Sequence, residues 1–276
     1  MTAAHGGDAR GAGVPNAAYE TLRTRLDEDG RLLWIVLDKP KGNILGRRMM
    51  TEIAAALDAH RDDPRLKLVA LRGAGGNFSF GAAVDEHRPD QAAAMLAALH
   101  GLGRRLATHP VPVAAVVEGR CLGGALELAI CCHVVLATAD ARFACPEIKL
   151  GVFPPLFAVA GAARLGGPLT ERMLLTGDDI DAATAERAGL VGAILAGADA
   201  EEAVRVWFRA RLAPLSAFAI REATRAVRRH SPLLASLGAP LDETERDYLA
   251  RLLPSHDGNE GIEAFIARRA PEWRDA

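Results

Sequence analysis

The stretch GRCLGGALELAI, residues 119–130, most constrains how this chain can fold. A β-branched run at residues 110–119 precedes it and is typical of a buried strand, so Gly123 and Gly124 are predicted to form a turn from a strand into a helix. The first N–H groups of a helix lack partners and, with the positive end of the helix dipole, favour a negative oxygen atom. Glu127 follows Gly124 by about one helical turn, so its carboxylate is expected on the same side as the Gly124 N–H.

The surroundings of Glu127 are unusual for a carboxylate. The sequence LELAICCHVVLA, residues 126–137, is apolar on nearly every side, which predicts a buried helix. Burying a carboxylate costs several kcal/mol unless it is paired, protonated or faces a polar site. Two structural alternatives stay open at this point: a plain tight turn at the glycines, and a salt bridge from Glu127 to an arginine.

The composition limits the classes of function. The chain has 276 residues and is 50% hydrophobic, enough for one large domain with or without a smaller appendage. A net charge of −2 and 5% aromatic residues argue against a nucleic-acid partner. No apolar run reaches about 18 residues, and the N-terminus lacks a signal-peptide core, so we expect a cytoplasmic protein with no membrane partner. The cysteines lack metal-ligand spacing and are predicted to be reduced core thiols: Cys121, Cys131, Cys132 and Cys145.

Hydrophobic periodicity predicts strand, strand, helix as a repeated order. The predicted strands are residues 19–26, 31–37, 66–71, 111–117, 134–138, 141–145 and 190–195, and the predicted helices are 49–61, 91–107, 122–131, 156–165, 169–175 and 182–188. From residue 200 onward every periodic segment is helical, at 200–211, 216–229, 241–252 and 259–270. We therefore predict a disordered leader (1–17), a mixed core (18–205) and a C-terminal helical oligomerisation region (206–276).

Three separate segments could assemble one reactive site. Amides from the junction at Gly81 and Ala82 and from Gly124 could converge as an oxyanion hole, in which one donor is commonly worth roughly 3 to 4 kcal/mol in rate. Glu127 and Glu147 could then act as base and acid, the pair that water addition to an activated double bond requires. An exposed ion pair between Glu147 and Lys149 is the alternative for that glutamate.

Several collinear motifs carry a family resemblance: KPKGNIL, NFSFGAAV, PVPVAAVVEGRCLGGALELA, PEIKLGVFPP, LLTGDDIDAATAERAGLV and EGIEAFIARRAPEW. Over roughly residues 20–270 the chain resembles the enoyl-CoA hydratase/isomerase (crotonase) family. The resemblance implies an α/β fold, a spiral of ββα units with a C-terminal helical trimerisation region, in a homotrimer or homohexamer. Coenzyme A would enter as part of the acyl-CoA substrate, so no separate cofactor and no metal is expected.

The resemblance also implies roles for single residues. The amides of Ala82 and Gly124 would hold the thioester oxygen. Glu127 would position and deprotonate the water, and Glu147 would exchange the proton with the substrate carbon. Hydratases of the family carry both glutamates, so the chain is expected to be a hydro-lyase.

Further positions are implied as substrate contacts. The coenzyme would run along the KPKGN and FSFGAA segments and meet the C-terminal helix. The substrate contacts implied in this way are Lys41, Gly42, Gly81, Gly123, Phe265 and Arg268. The sequence FPPLFAVAGAARL at residues 153–165, taken with Phe80, resembles the branch that hydrates cyclohexa-1,5-diene-1-carbonyl-CoA in anaerobic aromatic degradation. Phe80, Phe153 and Leu156 are predicted to shape a pocket for that ring, with core filling as the alternative for Phe153 and Leu156.

Several competing functions stay open. A hydratase of linear acyl-CoA, an enoyl-CoA isomerase or a decarboxylase would use the same oxyanion hole, and a non-catalytic RNA-binding relative would need a basic helix that the chain lacks. A serine hydrolase is disfavoured because no G-x-S-x-G occurs and Ser79 has no neighbouring histidine. His87 is interpreted as a solvated side chain outside the site. Arg225, Arg228 and Arg229 are interpreted as solvated or subunit-contacting surface.

Overall fold

Nine strands and twelve helices are present in residues 19–276, the part of the chain that the computed structural model describes. The predicted leader, residues 1–17, lies outside the described residues. The strands are β1 (Leu22–Asp27), β2 (Leu32–Leu37), β3 (Leu68–Gly73), β4 (Val113–Val117), β5 (Arg120–Leu122), β6 (Val134–Ala137), β7 (Arg142–Ala144), β8 (Asp179–Asp181) and β9 (Ala193–Ile194).

The helices fall into two groups along the chain. Those of the mixed part are α1 (Arg47–Ala59), α2 (Ala92–Ala107), α3 (Gly124–Cys131), α4 (Pro155–Ala160), α5 (Ala162–Leu165), α6 (Gly167–Thr176) and α7 (Ala182–Arg187). The C-terminal ones are α8 (Ala200–Arg211), α9 (Ala217–Arg229), α10 (Pro232–Ser236), α11 (Ala239–Asp247) and α12 (His256–Ala267). Short 3₁₀ turns lie at Glu28–Gly30, Val84–His87 and Pro146–Leu150, and a π-helical turn at Tyr248–Leu252 follows α11.

The main sheet has six strands in the order β1-β2-β3-β4-β6-β9. β1 and β2 form an antiparallel hairpin, and every other neighbouring pair in this sheet is parallel. A parallel sheet is covered on both faces, which explains why β4, with the sequence VAAVV, is buried at every residue. A second sheet, β5-β7-β8, brings the start of α3 next to the end of β7.

Apolar side chains pack on both faces of the main sheet. The larger cluster joins one face to helices α1, α2 and α3, and the smaller cluster joins Trp34 on the other face to Val204 and Phe208 of α8. Helix α8 therefore packs on the sheet, and the predicted boundary between residues 205 and 206 falls inside this helix.

Most predicted elements are confirmed, and the helix at 200–211 matches at both ends. The three-residue strands β5 and β8 were not predicted, because a segment that short has no measurable periodicity. The predicted helix 241–252 begins two residues earlier and changes into the π-helical turn after Asp247. All four cysteines are free and buried, as predicted. Among residues 19–276, the model contains no helix with the length and apolar character needed to span a membrane.

Arg228 corrects the sequence interpretation, because its side chain is buried in the protein instead of lying on the surface. Its guanidinium donates to the carbonyl oxygens of Cys131 at 3.2 Å and Cys132 at 2.6 Å. Arg164 adds a 2.9 Å bond to the carbonyl of Ile130. The last carbonyls of a helix have no intrahelical partners, so the two arginines satisfy the buried end of α3. Arg225 and Arg229 are exposed.

Candidate active site

The start of α3 is shaped by two glycines, as the sequence predicted. β5 ends at Leu122, and Gly123 adopts φ 52° and ψ −124°, a conformation that is unfavourable for a residue with a Cβ atom. The Gly123 N–H donates to the Ala144 carbonyl at 2.8 Å, which ties the turn to β7. All eight residues of α3 are buried, so the prediction of a buried helix is confirmed.

The second glycine-rich junction lies directly against the first. Gly81 has φ 95°, and a Cβ atom there would be 2.6 Å from the Leu122 carbonyl oxygen. A Cβ atom on Gly124 would be 3.2 Å from the amide nitrogen of Ala82. These close approaches bring together two loops that are about forty residues apart in the chain.

The amides of Ala82 and Gly124 are the free donors of this junction. Leu45 engages both neighbours of Ala82, since its N–H donates to Gly81 O at 2.9 Å and its carbonyl accepts from Ala83 N at 3.3 Å. No hydrogen bond between residues 19–276 uses the N–H of Ala82 or that of Gly124. Two unpaired amides on touching turns can donate to one oxygen atom.

Glu127 is buried and held by backbone. Its Oε1 accepts from the Phe157 N–H at 3.0 Å, at the first turn of α4. Burial raises the pKa of Glu127 to about 7, against the lowering effect of the Phe157 and Leu156 amides. Within the described residues no arginine or lysine forms an ion pair with Glu127, so the salt-bridge alternative is wrong.

Glu147 lies on the 3₁₀ turn Pro146–Leu150 and reaches the glycine turn of α3. A Cβ atom on Gly123 would be 2.8 Å from the carboxyl carbon of Glu147. Its Oε2 is shielded from solvent and has no hydrogen-bond partner in residues 19–276. Burial, and then the charge of Glu127, raises the pKa of Glu147 to about 8. The alternative of an exposed ion pair with Lys149 is therefore wrong.

A cavity of about 730 Å³ opens at this junction. Its apolar wall is formed by Ile44, Phe80, Val84, Leu122, Leu150 and Phe265. Gly81, Ala82, Gly123 and Glu147 also line it, whereas Gly124 and Glu127 do not. Lys41 and Gly42 line a neighbouring groove of about 460 Å³, and Phe80 borders both spaces. The groove and the cavity thus meet at Phe80.

Three predicted substrate contacts lie elsewhere. The Leu156 side chain is fully buried, and its Cδ1 would be 2.7 Å from a Cβ atom on Gly103 of α2. Phe153 packs edge to face on Tyr248 with ring centroids 5.5 Å apart. Neither residue lines the cavity, so they fill space between helices instead of shaping its wall. Arg268 ends α12 with an exposed side chain and does not line the cavity either.

His87 is a cavity residue that the sequence interpretation placed outside the site. It was interpreted as a solvated side chain, but it is half-buried and lines the cavity. The 3₁₀ turn Val84–His87 follows directly on Ala82 and Ala83, and it folds the ring back to place Nδ1 2.9 Å from the Ala83 carbonyl oxygen. The signal available in the sequence was its position five residues after the candidate oxyanion donor Ala82.

The comparison with known proteins agrees with this geometry. A family model described as Enoyl-CoA hydratase/isomerase matches residues 27–276. The chain belongs to this family. A cyclohexa-1,5-dienecarbonyl-CoA hydratase of Thauera aromatica is 41% identical over 258 residues, which cover 94% of this chain and 98% of that protein. A 2,3-dehydroadipyl-CoA hydratase of Escherichia coli (strain K12) is 30% identical over 88% of this chain and 95% of its own length.

A solved enoyl-CoA hydratase from Mycobacterium avium subsp. paratuberculosis K-10 is similar in structure, with a TM-score of 0.80 and 33% identity over 94% of this chain and all of that one. The fold is therefore the crotonase fold, α/β with a helical C-terminal part. The related proteins named above are hydratases, which are lyases, and this chain is an enzyme of the same class.

Proposed function

We propose that this enzyme adds water to cyclohexa-1,5-diene-1-carbonyl-CoA through an oxyanion-stabilised enolate. The observation that carries the proposal is the contact between two turns that hold unpaired amides, Ala82 and Gly124, with the Glu147 carboxyl group against the same turn and Ala82 and Glu147 lining one cavity. The choice of a ring-shaped acyl group is supported by the apolar cavity wall and by the 41% identical relative of that name.

In the proposed reaction the two amides donate to the thioester oxygen. That oxygen gains negative charge as water adds to the conjugated double bond, and each fixed donor lowers the barrier by about 3 to 4 kcal/mol. The Ala82 and Gly124 N–H groups have no partner within residues 19–276, so no internal bond has to break before they bind substrate. The positive end of the α3 dipole acts in the same direction.

The two glutamates divide the proton transfers. Glu127 takes a proton from water while the water oxygen bonds to carbon, and Glu147 delivers a proton to the neighbouring carbon as the enolate collapses. Burial raises the pKa of Glu127 to about 7 and, together with the charge of Glu127, raises that of Glu147 to about 8, so both groups titrate near neutral pH. Titration in this range supports a pair in which one glutamate acts as the base and the other as the acid, and we assign these roles to Glu127 and Glu147 respectively.

Steady-state kinetics on two thioesters test the substrate. We expect kcat/KM for cyclohexa-1,5-diene-1-carbonyl-CoA to exceed that for crotonyl-CoA by roughly ten-fold or more. Faster turnover of the linear thioester would replace the proposal with a general enoyl-CoA hydratase.

A single substitution tests the reaction type. Glu147→Gln should lower hydration by about 100-fold or more, because the acid is lost while the amide side chain keeps a similar shape. An isomerase that needs one glutamate would keep its activity in this variant. Thermal unfolding of Glu147→Gln provides the control that the protein is still folded.

We also propose that the chain assembles as a homotrimer or homohexamer through its C-terminal helices. Phe218 and Val227 of α9 are 73% and 69% exposed, an unusual position for large apolar side chains. Light scattering coupled to gel filtration measures the assembly directly. A monomer at micromolar concentration would contradict this part of the proposal.

A further inference from the structure

The His87 ring is fixed at the cavity wall through one of its two nitrogen atoms. Nδ1 lies 2.9 Å from the Ala83 carbonyl oxygen. A carbonyl oxygen only accepts hydrogen bonds, so Nδ1 carries the proton and donates. In the neutral ring the other nitrogen, Nε2, then keeps its lone pair and is an acceptor.

This acceptor is open to the cavity. The hydrogen bond at 2.9 Å uses Nδ1, and Nε2 is not among the unpartnered polar side-chain atoms that are shielded from solvent in residues 19–276. Burial lowers the pKa of His87, and this effect outweighs the opposing influence of the Ala83 and Val84 carbonyls, Glu86 and Asp85. The ring is therefore neutral at neutral pH, and its lone pair can be used.

The other polar groups assigned to the reaction are the amide donors and the two glutamates that transfer protons. The Lys149 ammonium and the backbone amides can only donate, and the oxygen atoms of Glu127 and Glu147 are used by the proton transfers of the proposed reaction. Asp85 lines the cavity but has an exposed side chain. The dienoyl substrate carries no O–H group, whereas the hydrated product carries one. An O–H group that leaves water needs an acceptor, and His87 provides one.

We propose that His87 is a specificity-determining residue whose Nε2 accepts a hydrogen bond from a hydroxyl group on the bound acyl group. This inference rests on the proposed function, because it takes the cavity as the acyl-binding site. It implies that the enzyme binds a hydroxyacyl thioester more tightly than the corresponding hydrocarbon acyl thioester.

The test compares two ligands that differ by one hydroxyl group, 2-hydroxycyclohexanecarbonyl-CoA and cyclohexanecarbonyl-CoA. Dissociation constants are measured by calorimetry in the Glu147→Gln background, in which turnover is slow. One neutral hydrogen bond corresponds to about a five-fold preference for the hydroxylated ligand. The preference is the ratio of the two dissociation constants, so any effect that is common to both thioesters cancels.

Two substitutions separate the roles of the ring nitrogens. In His87→Asn the side-chain amide can still donate near the Nδ1 position but cannot reach the Nε2 position, so the hydroxyl preference should fall to about one-fold. In His87→Gln the longer amide reaches the Nε2 position, and part of the preference should return. Asp85→Asn is the matched control at the same wall and should keep the full preference.

Three outcomes would overturn the inference: equal binding of the two ligands before any change at His87, a preference that persists in His87→Asn, or equal weakening of both ligands in that variant. The last outcome would show that His87 only supports the turn. Failure of the proposed function is seen separately, as the absence of water addition to either thioester by the unsubstituted enzyme.

Discussion

Replacement of Gly123 by alanine tests whether the position of Glu147 depends on the bare backbone of the α3 turn. Gly123 lies at φ 52° and ψ −124°, so a Cβ atom adds backbone strain of about 1 to 3 kcal/mol. The same atom would lie 2.8 Å from the carboxyl carbon of Glu147 and overlap its Oε1. Ordinary contacts between carbon atoms are about 3.5 to 4 Å, so the carboxyl group has to move by about 1 Å.

A displacement of this size has a large effect on a reacting group. Misplacement by about 1 Å can lower a rate by about 100-fold, and we expect a loss of this order in kcat for Gly123→Ala. Steady-state kinetics with the preferred enoyl thioester measure the loss, and denaturant unfolding measures the accompanying change in stability. The proton donor is displaced while the groove at Lys41 is untouched, so KM should change much less than kcat.

Gly166→Ala provides a control with the same backbone problem and no neighbour to displace. Gly166 has φ 75° and ψ 157°, and nothing lies within 4 Å of a Cβ atom placed there. This variant should lose about 1 to 3 kcal/mol of stability and keep its activity. If Gly123→Ala has the same kcat as Gly166→Ala, then the contact between the turn and Glu147 does not position the acid, and the reasoning is refuted.

Three further predictions concern stability. The folded pKa of Glu147 is about 8 against a usual 4.5, so the native state holds more protons than the unfolded chain and loses stability as pH rises between these values. Urea unfolding should therefore show Glu147→Gln to be more stable than the parent at pH 8, by on the order of 2 kcal/mol. The gain at pH 4.5 should be small. Leu156→Ala should cost about 3 kcal/mol by the same assay, and a cost below about 1 would contradict its core position. Arg228→Met removes a donor from two carbonyls at the end of α3 and should lower the free energy of unfolding by about 1 to 3 kcal/mol. No change in this free energy would contradict the buried position of the Arg228 side chain.

Local features of the chain were predictable wherever one short stretch contains both the pattern and its physical cause. The glycine pair before an apolar helix indicates a strand-to-helix turn, because only glycine tolerates the backbone conformation of Gly123. The buried cysteines and the C-terminal helices were also predicted from short stretches of sequence. The collinear motifs added the family, and with it the pairing of Glu127 with Glu147, which lie twenty residues apart with two β-strands between them.

The residues that were misjudged are those whose neighbours come from distant parts of the chain. The sequence pattern places Arg228 among the surface arginines of α9, yet its guanidinium donates to the carbonyls of Cys131 and Cys132, almost one hundred residues earlier in the chain. Phe153 and Leu156 follow the site glutamate closely in sequence, but Phe153 packs on Tyr248, and Leu156 on α4 packs toward Gly103 of α2. Proximity in sequence to a site residue does not determine the direction of a side chain in space.

The sequence alone determined which groups are available: two glycine-bordered amides, two carboxyl groups in apolar surroundings, and helices and strands in the order of the fold. Only the tertiary structure decided the state of these groups, because Leu45 occupies the amide of Ala83 and leaves that of Ala82 free, and because burial raises the pKa of both glutamates. The tertiary structure also decided that His87 lines the cavity. Hydrogen-bond competition and desolvation depend on every atom nearby in space, and a linear pattern does not contain that information.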